Sequence, residues 1–214
     1  MNVNGLAGEA VGIRVAAGGH RDVGLREAEG APLARRIAWI LDTVAGLAPS
    51  QPTLVASLAE GADRIFVAEA LTRGWPVTAV LPFERDEFAR DFATAASRRA
   101  YQEILTRAVD IIELPGVRRG DGDGPAYAAA NDVMLDRADL LLTAWDGKPV
   151  RGPGGTAEVV DLARARGLPV VWIASRPPHG VRLLDPEGDR ERAPWLGRLA
   201  AELNRSGGRQ RAVE

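Results

Sequence analysis

Asp139-Leu140-Leu141-Leu142-Thr143-Ala144-Trp145-Asp146-Gly147-Lys148 is followed by Gly152-Pro153-Gly154-Gly155-Thr156-Ala157-Glu158, then by Gly167-Leu168-Pro169-Val170-Val171-Trp172-Ile173. The first apolar run ends at Trp145-Asp146. A loop carrying Gly147, Gly152, Gly154 and Gly155 comes next. Thr156 and Glu158 open an amphipathic helix, and Pro169 leads into a second apolar run. The order is strand, glycine-rich loop, helix, strand. It places backbone N–H groups and a helix N-terminus at the carboxyl edge of a parallel sheet, a geometry that binds anions and above all phosphates.

The same alternation extends towards the N-terminus. Apolar runs at residues 11–17, 53–56, 76–81, 108–114 and 139–145 read as five strands, and the run ending at Ile173 as a sixth. Helical spacing occupies 32–47, with Pro32 suited to a first turn. It also occupies a segment opened by Glu60-Gly61-Ala62-Asp63 and closing at Gly74, a long charged segment over 86–107, and 126–137. Strands separated by helices imply a doubly wound, mostly parallel α/β sheet with helices on both faces. Residues 1–174 read as one domain. Residues 175–214 read as an extension: loop to Ala193, a short helix over 194–204 and a disordered end.

Composition narrows the function classes. The 214 residues carry a formal net charge of -2, so no global field favours nucleic acid or an anionic membrane. Neither a nucleic-acid partner nor a membrane is therefore expected. There is no cysteine, which removes disulfides and thiolate chemistry, and His20 and His179 are the only histidines. No metal site and no cofactor are expected. No apolar stretch reaches the roughly 20 residues that span a bilayer. The start lacks the pattern of a signal peptide, so a cytoplasmic location is expected.

Doubly wound sheets bind ligands beyond the carboxyl ends of their strands, so the residues following each strand are the candidates. After the first strand, Gly18-Gly19-His20-Arg21 offers a turn with a guanidinium for a phosphate. After the second, Ser57 reads as the cap of the helix that Glu60-Gly61-Ala62-Asp63 opens, with Glu60 three residues on as its capping-box partner. Ser57 and Glu60 read equally as ligand contacts, and Asp63 as a carboxylate complementing the helix dipole. After the fifth, Trp145 can stack on a base or pack, Asp146 follows it, and Lys148 and Arg151 flank the loop. Gly154, Gly155 and Thr156 are the anion cradle. Glu158 is the one candidate catalytic carboxylate, able to meet a ribose diol or stabilise positive charge, or simply to complement the dipole. The pairs Arg98-Arg99 and Arg118-Arg119 read as solvated surface.

On Gly19-His20-Arg21-Asp22, Ser57-Leu58-Ala59-Glu60-Gly61-Ala62-Asp63 and Gly154-Gly155-Thr156-Ala157-Glu158, the chain resembles the SLOG superfamily of Rossmann-like domains, which includes DprA-type and LOG-type proteins. The resemblance covers residues 11–173 and implies a pocket for a nucleotide or a nucleotide derivative such as ADP-ribose. LOG-type phosphoribohydrolases carry P-G-G-x-G-T-x-x-E. Here Pro153-Gly154-Gly155-Thr156-Ala157-Glu158 lacks one x-G step, and the glutamate follows the threonine by two residues. That register favours a binding or sensing role over an N-glycosidase acting on nucleoside monophosphates. Related sensing domains are usually fused to effectors, so any effector here would have to be a separate protein; the resemblance also allows a homo-oligomer.

Overall fold

The computed structural model describes residues 12–23, 27–119, 122–149, 152–184 and 194–211. Among them, the strands are β1 (Arg14–Gly19), β2 (Thr53–Ala56), β3 (Val77–Leu81), β4 (Asp110–Glu113), β5 (Leu140–Trp145), β6 (Val170–Ala174) and β7 (Val181–Leu184). They form one sheet in the order β4-β3-β2-β1-β5-β6-β7, parallel throughout except for the β6–β7 pair. The helices are α1 (Glu27–Leu47), α2 (Ala62–Thr72), α3 (Arg85–Phe88), α4 (Ala95–Arg107), α5 (Gly124–Asp136), α6 (Thr156–Ala165) and α7 (Pro194–Arg211).

Side chains on a strand alternate between the two faces of the sheet. Val15, Ala17, Leu54, Ala56, Val77, Ala79, Leu140 and Leu142 enter one core with Ile37 and Leu41 of α1, Phe66 of α2, Tyr101 of α4 and Leu199 of α7. Ala16, Val55, Val80, Leu141 and Val170 face the other way and pack on Ala130 and Met134 of α5 and Val160 of α6. Both faces are covered, so the strands read as continuous apolar runs with no polar alternation.

Four sequence expectations change. The helical reading of 86–107 breaks into α3, a 3-10 turn at Ala89–Asp91 and α4. Phe88 and Phe92 are both buried, and the chain is extended at Phe92 and Thr94. Thr94 then caps α4 by accepting from the Ser97 amide at 3.0 Å. Pro32 lies inside α1, which begins at Glu27. The stretch read as loop contains β7, an antiparallel edge strand. The terminal helix runs on to Arg211, and its Leu196, Leu199 and Leu203 are buried in the first core. Val11, Arg151 and residues 185–193 and 212–214, which the sequence reading also covered, lie outside the described residues.

Candidate functional site

Between β1 and β5 the sheet divides: β1 leads outward through β2, β3 and β4, and β5 through β6 and β7. Adjacent loops diverge at such a point and leave a crevice beyond the carboxyl ends. A cavity of about 290 Å³ lies there. Its wall brings together Gly18, Gly19, His20, Arg21, Ser57, Trp145, Asp146, Gly154, Gly155, Thr156 and Glu158. Glu60 and Gly61 are not part of it. Gly61 is the residue before α2 and no side chain caps that helix, so the Ser57–Glu60 capping box does not form. The chain turns at Leu58, with φ 65°, and the helix begins too late for Ser57 to reach it. Glu60 instead accepts a hydrogen bond from Ser97 Oγ. The Ser57 hydroxyl is buried in the cavity wall with no hydrogen-bond partner among the described residues.

Asp63 does more than complement a dipole. Its carboxylate accepts from the Gly19 amide at 3.1 Å and the Ala59 amide at 3.2 Å, tying the end of β1 to the β2–α2 loop. Burial pushes its pKa up to about 6, against the opposing pull of Arg21, the two amides and Arg64. Gly19 is needed for close approach: a Cβ there would meet the Ala144 carbonyl oxygen at 2.3 Å and Ala62 Cβ at 2.8 Å.

The glycine loop is preformed. Gly154 has φ 76°, a conformation disfavoured for residues with a Cβ. Its carbonyl accepts from Asn131 Nδ2 at 3.3 Å, and its amide donates to Glu158 Oε2. Glu158 is thus occupied in bracing the loop from the first turn of α6. Gly155 precedes α6 with no side-chain cap, and the first amides of a helix have no intrahelical acceptor. Thr156, Ala157 and Glu158 present that turn to the cavity.

His20 lies between two carboxylates, with Nε2 at 3.6 Å from Asp146 and Nδ1 at 3.8 Å from Asp22. Asp146 also accepts from the Lys148 amide at 3.0 Å and lies 3.4 Å from the Lys148 ammonium. Burial opposes the charge on Asp146, but the Lys148 amide, His20 and the Lys148 ammonium outweigh it and lower its pKa. Trp145 lines the cavity while packing edge-on to Trp172 at 6.1 Å, so its ring is both wall and core.

Tyr127 and Asn131 of α5 and Thr143 of β5 also line the cavity. Asp91 and Arg118 were not legible in the sequence. Arg118, read as solvated, bonds Asp91 at 2.7 Å, Glu87 at 2.9 Å and Asp123 at 2.6 Å. Arg98 similarly donates to the Phe92 carbonyl at 2.6 Å. Asp132 pairs with Arg166 on the surface at 2.6 Å and has no part in the cavity. Among the described residues no group of three or more His, Asp or Glu is placed to hold a metal ion. No described helix is long and apolar enough to cross a membrane.

No family model matches the chain, and no curated protein matches it. Among solved structures it is similar to DNA processing protein A (DprA) from Streptococcus pneumoniae, at TM-score 0.51 and 18% identity over 91% of this chain and 56% of that one. The chain thus spans little more than half the length of the pneumococcal protein. It is also similar to DNA processing protein A from Helicobacter pylori, solved for its single-stranded DNA binding mode, at TM-score 0.52 and 17% identity over 78% of this chain and 67% of that one. These likenesses show that the chain shares the Rossmann-like α/β fold of the two DprA structures. One expectation is overturned: with a single-stranded DNA binder among these neighbours, the absence of a nucleic-acid partner no longer stands.

Proposed function

We propose that this chain is a cytoplasmic sensor that binds a phosphorylated nucleotide or a nucleotide derivative of the ADP-ribose type in the β1–β5 cavity, without cleaving it. The phosphate lies against the Gly154-Gly155 loop and the first turn of α6, within reach of His20, Arg21 and Lys148. The observation carrying the non-cleaving reading is the Glu158 carboxylate, which takes the Gly154 amide and braces the loop. A glycosidase needs that carboxylate beside the anomeric carbon.

A thermal-shift panel tests this reading. It comprises nucleosides, nucleoside mono-, di- and triphosphates, ADP-ribose and a single-stranded oligodeoxynucleotide, the last because a neighbour of this fold binds single-stranded DNA. A ligand at one hundred times its Kd stabilises the folded state by about 2.7 kcal/mol. Stabilisation by a phosphorylated nucleotide and not by its nucleoside is the expected result. Stabilisation by the oligonucleotide alone would replace the small-ligand reading.

A further inference from the structure

Asp91 is absent from the cavity wall, yet two residues of that wall meet on it. It ends the 3-10 turn between α3 and α4, in the break that the charged 86–107 segment does not announce. Its side chain is 7% exposed. Oδ2 accepts from the Tyr127 hydroxyl and, at 3.3 Å, from Arg21 Nη1. Oδ1 accepts from Arg118 Nη2 at 2.7 Å.

Tyr127 is where the two halves of the cavity touch. The Arg21 guanidinium lies over its ring at 4.8 Å. On the other side its Cβ backs Gly154 so closely that a Cβ there would come within 2.6 Å. The ring is held edge-on by Phe83 at 5.8 Å. The Arg21 side chain is half exposed, and Nη1 to Asp91 is its one carboxylate hydrogen bond among the described residues. A guanidinium has five N–H donors, so others remain to meet an anion.

We infer that Asp91 is the positioning residue of this cavity: from outside the wall it fixes Arg21 and Tyr127 together, so phosphate recognition depends on a residue that does not touch the ligand. The inference rests on the reading of the cavity as a phosphorylated-nucleotide site. Two effects of removing Asp91 compete. Losing a negative charge favours an anion, while losing the anchor lets Arg21 move and makes the ligand immobilise it. The charge effect is the smaller, because Arg118, Tyr127 and Arg21 already surround the carboxylate. Immobilising a long side chain costs enough to weaken binding about three- to tenfold.

The test uses the full chain and titrates AMP, GMP, CMP, UMP and ADP-ribose, each against its nucleoside, into the parent and the variants Arg21→Ala, Asp91→Ala and the double variant. Asp91→Asn, nearly isosteric, is the control for folding, and Arg118 keeps Glu87 and Asp123 in every case. We expect Asp91→Ala to weaken the phosphorylated ligand about three- to tenfold and to leave the nucleoside within twofold. We expect the double variant to bind no worse than Arg21→Ala, because Asp91 acts through Arg21. Equal losses for nucleotide and nucleoside, additive losses, or tighter binding by Asp91→Ala overturn the positioning role while the cavity reading survives. A parent that binds none of these ligands, or an Arg21→Ala variant that loses nothing, overturns the cavity reading and this inference with it.

A ligand-free measurement separates the parts further. Burial, then Asp91, raises the Tyr127 phenol pKa, and Arg21 pulls it down. In a spectrophotometric titration Asp91→Asn therefore lowers the Tyr127 midpoint and Arg21→Ala raises it. Midpoints unmoved by either variant contradict the geometry from which the role is drawn.

Discussion

Replacing Asp63 by Asn should change the way stability depends on pH. The carboxylate is buried beneath the cavity and holds the Gly19 and Ala59 amides. Burial raises its pKa from the ordinary 3.8 to about 6. At about 1.4 kcal/mol per tenfold change in proton affinity, ionisation in the folded state costs roughly 3 kcal/mol. The folded protein binds this proton more tightly than the unfolded chain does. Stability from this group is therefore complete below about pH 4, falls as pH rises through about 6, and is level above that. Asp42, Glu113, Asp123, Asp139 and Asp146 have lowered pKa values and act with the opposite sign, losing their contribution as pH falls. They are common to parent and variant and cancel in the difference. Asn keeps one acceptor for two amides, a pH-independent loss of about 1–3 kcal/mol. Urea denaturation followed by circular dichroism from pH 4 to pH 7.5 gives both curves. The expected difference changes by roughly 3 kcal/mol across that range, the parent having its greater advantage at pH 4. Parallel curves would refute the assignment of a raised pKa to Asp63 and the idea that an ionised carboxylate is held there at a cost.

Three further outcomes follow from the same geometry. Gly155→Val should abolish nucleotide binding while circular dichroism stays near native, since a Cβ there meets nothing nearer than the Gly152 carbonyl at 3.3 Å but a branched side chain covers the amides; unchanged affinity in calorimetry excludes this loop as the cradle. Gly19→Ala should destabilise the fold by roughly 1–3 kcal/mol in urea, because the added methyl strikes the β5 backbone; an unaltered midpoint contradicts the packing of β1 on β5. Glu158→Gln should alter affinity only, with no free base released by parent or variant. Base release by the parent that falls about 100-fold in the Gln variant would make Glu158 a catalytic carboxylate.

The parallel strands were legible because both faces of the sheet are buried, so each strand is a short apolar run between helices. The glycine loop at β5–α6 was legible because glycines and a helix start are local signals. What escaped the sequence was set by pairing across long separations. Asp63 looks like a first-turn carboxylate until β1, forty-four residues earlier, brings the Gly19 amide to it. Glu60 has capping-box spacing, but the turn at Leu58 delays the helix and Ser97 takes the carboxylate instead. Asp91 and Arg118 belong to a charged segment and a charged loop whose spacing predicts only solvated surface. Their mutual bond forms because the helical run breaks before Thr94. The β7 strand is short and at an edge, and α7 continues through Gly207-Gly208, where composition predicts an end.

The central claim is that the cavity holds a phosphorylated nucleotide intact. Equilibrium dialysis of the parent protein against the nucleotide that stabilises it most, with the retained ligand eluted and resolved by chromatography, tests it most directly. The account predicts saturable binding and recovery of unaltered nucleotide after prolonged incubation. Free base or ribose phosphate accumulating beyond one equivalent of protein, or no saturable retention of any phosphorylated nucleotide, would contradict it.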